Sequence, residues 1–346
     1  QVGAQAGLSS DILDEFAASI ADLVVASDMP VELAATKVAQ MMTIMELGAG
    51  DVSRLGSALA DLGNKFPGTE EEALVMAQRI AGMGSVVGLT TQQVLAIAMA
   101  LTAVGVRAEA GGTAVQKVLI TMQEAMSGTA EGYIDNSDKI AKSTQRIADL
   151  QAQLAVQEQR VAEQTDKTRE STRMAQQLAV ERTRQALEEE IANLEMYQAS
   201  HGKTAAQLQG DLALFAKTAG MSAQQFRQTW QQDPGKAFEL FVRGLGESGD
   251  DAQQILSELG LNDARLMRSF LQLSAAGDLI TRTMQSSNTA WEQNTALANE
   301  ANERYATMAS IMDMLRNSFK KFQVEIGDTL RPALNQIVLG LQEVTE

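Results

Sequence analysis

Residues 280–326 read ITRTMQSSNTAWEQNTALANEANERYATMASIMDMLRNSFKKFQVEI. One face recurs along them in alternating steps of four and three: Ile280, Met284, Ser287, Trp291, Asn294, Ala298, Ala301, Tyr305, Met308, Met312, Leu315, Phe319, Phe322 and Ile326. That spacing is the a/d seam of a helix that packs against copies of itself. From Tyr305 onward every seam residue is apolar, and Asn294 is the polar position expected to set register or oligomeric state. An unbroken helix of this extent would run about 70 Å at about 1.5 Å per residue. Gly327 and Pro332 are expected to end it, before a last apolar helix to Val344. A trimer is the favoured assembly.

The rest of the composition agrees with helix. The chain has 346 residues, 45% hydrophobic, but Phe, Trp and Tyr together reach only 4%, while methionine numbers 17. Helix formers such as Ala and Gln abound, and β-branched and aromatic residues are comparatively scarce. No cysteine is present, which excludes disulfide scaffolds, thiolate metal sites and thiol nucleophiles. The single histidine excludes a poly-His metal site. With 28 basic and 44 acidic side chains the net charge is −16, which repels nucleic-acid phosphate, and no basic stripe offsets it. The chain begins with Gln1 and not Met, and is expected to be a piece of something longer.

Shifts in charge and periodicity divide the chain into four regions. Residues 1–136 form an acidic, apolar series of short helices, and 201–275 a second short-helix region. Between them, 137–200 is densely charged and predicts one long helix with an imperfect coiled-coil seam. Ile140, Ile147, Leu154 and Val161 recur every seven residues, with Leu150 in the d position. The seam decays through Gln157, Gln164, Thr168 and Ser171, then resumes in a shifted register at Leu187, Ile191 and Leu194. Residues 276–346 hold the long heptad helix and the terminal one. Helix starts are marked by capping-box spacing at Thr69–Glu72, Thr90–Gln93 and Ser222–Gln225.

Several motifs invite chemistry, and each has a plainer account. Gly244-Leu245-Gly246-Glu247-Ser248-Gly249 matches the dinucleotide fingerprint, which requires a preceding strand. Here Pro234 to Arg243 reads as helix, and Asp250 and Asp251 would repel a phosphate, so a helix–helix turn is expected. His201 lies in a turn, and no G-x-S-x-G elbow accompanies Ser200 or Ser222. The clusters Glu70–Glu72 and Glu188–Glu190 lack EF-hand spacing and read as solvated helix faces. No charge falls between Arg79 and Arg107, a run containing Gly84-x-x-x-Gly88. Thr90, Thr91, Gln92 and Gln93 interrupt it, leaving an apolar helix shorter than the roughly 20 residues a membrane span needs. It is a buried core helix, or a segment that meets a membrane conditionally through Val94, Leu95, Ile97, Leu101 and Val104.

Met76-Ala77-Gln78-Arg79-Ile80-Ala81-Gly82, Val87-Gly88-Leu89-Thr90 and Ala103 to Ala114 (AVGVRAEAGGTA) resemble the core region of tailed-phage tail tape measure proteins. So do Gly220-Met221-Ser222-Ala223-Gln224-Gln225-Phe226 and the stretch from Arg304-Tyr305-Ala306-Thr307 through Gly327-Asp328-Thr329-Leu330-Arg331-Pro332-Ala333-Leu334. The likeness lies on both sides of 137–200, which resembles an insertion in the core block. The resemblance implies an extended, multicopy helical protein in the lumen of the phage tail, made in the host cytoplasm, which sets tail length and leaves with the genome. Implied partners are the tail tube protein, tail assembly chaperones, tail tip or baseplate proteins and, conditionally, the host membrane.

The expectation is therefore an all-α, extended, oligomeric structural protein: a short-helix bundle followed by long coiled-coil helices. It is expected to have no catalytic site, no cofactor and no specific nucleic-acid binding. The alternative is a membrane-active, pore-forming or translocation helical protein without a ruler role.

Overall fold

The structure is a computed structural model that describes residues 10–127 apart from 28 and 49, residues 137–162, scattered positions from 176 to 198, and residues 204–307. Among the described residues the regular elements are helices and no strand occurs, as the composition predicts. They are α1 (Ser10–Ser27), α2 (Val31–Ile44), α3 (Asp51–Lys65), α4 (Glu70–Val87), α5 (Thr91–Ala103), α6 (Ala108–Ser127) and α7 (Ser137–Ala162). After these come α8 (Ala205–Thr218), α9 (Ala223–Gln232), α10 (Pro234–Glu247), α11 (Ala252–Glu258), α12 (Ala264–Ala275) and α13 (Leu279–Gln293). A further helix covers 296–307.

The starts follow the capping chemistry. The Thr90 hydroxyl accepts from Gln93 N–H while the Gln93 side chain accepts from Thr90 N–H, so two orphan donors are satisfied at once. Ser222 and Gln225 repeat this arrangement, and so do Thr204 and Gln207. Thr69 makes only half of the box, accepting from Glu72 N–H at 3.2 Å. The Gly84-x-x-x-Gly88 spacing is a helix ending. Gly88 takes φ +85°, and Leu89 N–H returns to the Gly84 carbonyl at 2.8 Å.

The core is organised around α5. Thr91 and Gln93 through Thr102 are all buried, as expected for a helix that is apolar on every side. It is enclosed by α3, α4, α6 and α13. Helix α4 also packs on α2 and α6, and α6 carries α8 and α12 on another side. There the scarce aromatics gather: Phe215 stands edge-on to Phe241 at 5.0 Å, and Phe238 to Phe270 at 6.0 Å. One continuous core thus joins helices from before residue 128 and after residue 203. Each leucine or methionine fully buried in it contributes about 1.5–3 kcal/mol relative to exposure. The chain divides into two units, Gln1–Ala298 and Asn299–Glu346.

Two expectations about long helices are corrected. The stretch from 280 is not one unbroken helix, because Asn294 adopts the left-handed conformation at φ 50° and ends α13. Nor is 137–200 a single helix. As one helix it would place Lys139 and Tyr197 about 87 Å apart at about 1.5 Å per residue. Instead the Lys139 ammonium lies 5.3 Å from the centre of the Tyr197 ring. The Ser143 hydroxyl donates to Glu190 at 2.6 Å, and Arg184 pairs with Glu158 at 2.6 Å. Later residues meet earlier ones, so the segments run side by side and antiparallel.

Candidate functional site

The sites suggested by short motifs dissolve into packing. Gly244 and Gly246 lie within α10, so no strand precedes the G-x-G-x-x-G stretch, and Asp250 and Asp251 follow in a 3-10 turn. A Cβ on Gly244 would collide with the Thr218 carbonyl oxygen, and one on Gly246 with that of Ser274. These glycines let α10 approach the ends of α8 and α12 closely. Among the described residues no group of three or more His, Asp or Glu side chains could hold a metal ion. His201 and Ser200 lie outside the described residues. Glu70 to Glu72 form the first turn of α4, where negative charge favours the helix's positive end.

One groove of about 570 Å³ opens beside α8, α10 and α11. Leu214, Leu240 and Ile255 line its apolar part, with Lys217, Arg243, Glu247 and Asp251 around them. Arg243 pairs with Glu247 at 3.8 Å, so charges of both signs surround the groove and no single ligand charge is selected.

The conditional membrane-contact residues lie in the core. Val94, Leu95, Ile97 and Leu101 have no exposure, and Val104 is half-buried. Among the described residues no helix is long and apolar enough to cross a membrane.

The most built contacts join segments far apart in sequence. Gln93, whose side-chain oxygen caps α5, donates from its Nε2 to Asp233 Oδ1 at 2.7 Å. The same Asp233 oxygen caps α10 by accepting Lys236 N–H at 2.9 Å. One amide thereby links the N-termini of two helices that lie on opposite sides of 137–198. Gly235 leaves room beside it, because a Cβ there would strike the Gln93 side chain and force it to move.

A second joint lies where α13 ends. Asn294 Oδ1 accepts from Ser53 Oγ at 2.8 Å and from Ser57 Oγ at 3.1 Å, both on α3. The Ser57 oxygen also accepts Leu297 N–H at 3.3 Å, which satisfies an orphan donor at the start of the helix 296–307. Gly56 leaves room for Leu297, whose Cδ2 would lie 2.6 Å from a Cβ there. Ser286 donates to Asp61 at 2.5 Å, and Ser287 to the Gln92 carbonyl at 2.8 Å.

The expected self-association seam is therefore divided. Ile280, Met284 and Ser287 are buried in this chain's own core, and Trp291 packs partly against it. Asn294 is half-buried, Ala298 and Tyr305 are exposed, and Ala301 is buried. Met308, Met312, Leu315, Phe319, Phe322 and Ile326 lie outside the described residues.

The arm formed by α7 and the described residues from 176 to 198 keeps heptad spacing on both segments, in a shifted register on the returning one. Ile140, Ser143, Ile147, Leu150, Leu154, Gln157 and Val161 are the α7 residues not exposed, and every other residue of α7 is exposed. On the returning segment Val180, Thr183, Leu187, Glu190, Leu194 and Tyr197 keep the same steps. Ile191, expected on the seam, is 38% exposed, and Glu190 takes the inward place beside Ser143 and Arg146.

The model of one protein family, described as phage-related minor tail protein, matches residues 1–180. No curated protein and no solved structure matches the chain.

Proposed function

The chain belongs to the phage-related minor tail protein family, and we propose that within it this protein is a tail tape measure protein. Its role in the phage tail is structural, in association with other tail components. In the proposed reading it lies in the lumen of the tail tube, sets tail length as the tube polymerises, and leaves with the genome. It would then touch the tube protein, the tail tip or baseplate, assembly chaperones before incorporation, and copies of itself, with a trimer favoured.

One observation carries this reading. Blocks that resemble the tape measure core, within 76–114 and at 220–226, stand on both sides of the arm, and Gln93 and Asp233 tie those two stretches into one bundle. Residues 204–298, wholly beyond the stretch the family model matches, thus belong to the same folded module as the matched part. The net charge of −16 also suits a protein that must not hold passing DNA. A membrane-active role without a ruler would require α5 to leave the middle of that core.

Tail length is the test. Inserting four and then eight heptads of helix-forming sequence after Thr307 keeps the seam in phase. Tails should lengthen by about 42 and about 84 Å at about 1.5 Å per residue. Normally assembled tails of unchanged length would overturn the ruler reading.

A further inference from the structure

The break at Asn294 has no glycine or proline to cause it. Between Gly277 and Gly327 there is neither glycine nor proline, yet the helix stops at a residue in the left-handed conformation. An L-residue other than glycine adopts that conformation at a cost, which asparagine bears better than most. What surrounds the break comes from α3: two serine hydroxyls on the Asn294 side chain, one of them also receiving Leu297 N–H, and a glycine that admits Leu297. The break thus joins an asparagine that tolerates the left-handed conformation to contacts that α3 supplies.

The docked face is also unusually polar. Thr283 and Ser287 have no exposure and satisfy their hydroxyls on the Ile280 and Gln92 carbonyls. Leu279, Ile280 and Met284 are the large apolar residues buried by α13. The residues this face uses, Ile280, Met284, Ser287, Trp291 and Asn294, are the ones that the heptad pattern assigns to a seam between copies. One face cannot serve both at once.

We propose that residues 279–307 form a two-state segment. In one state α13 is docked on α3 and α5 and broken at Asn294. In the other it is released, continuous, and paired through the same face with the same segment of a second copy of this chain. Ser53, Gly56 and Ser57 are the positions that hold the docked state. The inference rests on the self-association part of the reading above and is independent of the ruler part. A failure of tail lengths to change would leave it standing.

The experiment uses the full chain, which has no cysteine, so a Cys pair introduced by Arg54→Cys and Thr289→Cys on α3 and α13 can be labelled uniquely. Association is followed by analytical ultracentrifugation and label separation by spin-label distance measurement. Asn294→Leu removes both serine contacts and suits an apolar seam, so the released state should gain about tenfold and the labels should part. Asn294→Gly favours the left-handed break and should keep the labels close and association weak. Ser53→Ala with Ser57→Ala releases the same joint from the other side and guards against a folding defect peculiar to Asn294→Leu. If Asn294→Leu and the double serine variant both keep the parent's association and label distance, the proposal fails. It also fails if they lose helix content without associating.

Discussion

Ser57 Oγ donates to Asn294 Oδ1 at 3.1 Å across 237 positions of sequence. The serine is 1% exposed and its oxygen also accepts Leu297 N–H, so one hydroxyl serves both the end of α13 and the start of the next helix. Replacing it leaves a helix-start N–H without its acceptor. Ser57→Ala should lower stability by about 1–3 kcal/mol, the range for a lost hydrogen bond with a stranded buried partner. Urea unfolding of parent and variant measures this, and an unchanged midpoint would contradict the importance of the joint.

Gly235 poses a steric test of the tie between the two sides of the bundle. A Cβ there meets the Gln93 side chain, which is already committed to Thr90 and Asp233. Gly235→Ala should therefore displace Gln93 and cost about 1–3 kcal/mol, as overpacking does. Combining it with Gln93→Ala should recover most of the packing cost while leaving Asp233 short of a partner. A double-mutant cycle reads this directly, and strict additivity would mean the two sites are not coupled.

How far the sequence foretold this arrangement depends on the range of the interaction. Local chemistry was legible: Thr90 with Gln93 and Ser222 with Gln225 form their boxes, and Val94 to Leu101 form the buried helix that their unbroken apolar character implied. Periodicity found the face of α7 correctly but not its partner, because a heptad pattern does not say whether the matching helix belongs to another copy or to the same chain doubled back. The shifted register at Leu187 was the available sign, since a change of phase accompanies a change of helix. The break at Asn294 was only faintly legible, in an asparagine that tolerates the left-handed helix end but stands on an unbroken heptad face. It depends on Ser53, Gly56 and Ser57, whose small side chains carry no periodic signal and lie far away in sequence. The same distance hid the pairing of Gln93 with Asp233.

The arm should be removable. Lys139 lies against Tyr197, so its two ends stand together, and α7 buries only the face turned to the returning segment. Replacing 137–198 by a short Gly/Ser linker should leave the bundle's thermal midpoint within about 4 °C of the parent, equivalent to about 1 kcal/mol for a domain of this size. A much larger fall would show that the arm supports the core.

Acid should weaken one helix start in particular. Asp263 caps α12, accepting from Leu266 and Arg265 N–H at 2.9 Å each. The bond from Leu266 does most to hold its carboxyl below the ordinary value of 3.8; loss of solvent is next and opposes it, and the Arg265 bond and the charges of Lys117 and Arg265 add to the lowering. A depressed folded-state value means the ionised cap stabilises above pH 3.8 and that this contribution fades as pH falls through the lower folded value. Asp263→Asn keeps an acceptor without the titration. The stability difference between parent and variant should be constant at neutral pH and shrink on acidification, and a difference independent of pH would exclude this source.

Leu95 decides whether the apolar helix is core alone or also meets a membrane. It has no exposure, and neither has Met99. Leu95→Ala should cost about 2–5 kcal/mol through lost burial and the cavity left behind. A charge at either position would unfold the bundle, so loss of liposome binding in such a variant would say nothing about membranes. The truncation is the better probe, because it loosens the core while keeping α5 apolar. Neither the parent nor Leu95→Ala should float with anionic liposomes if α5 serves only the bundle. Flotation by the loosened variant alone would mean that α5 exchanges its protein surroundings for lipid once the helices around it part.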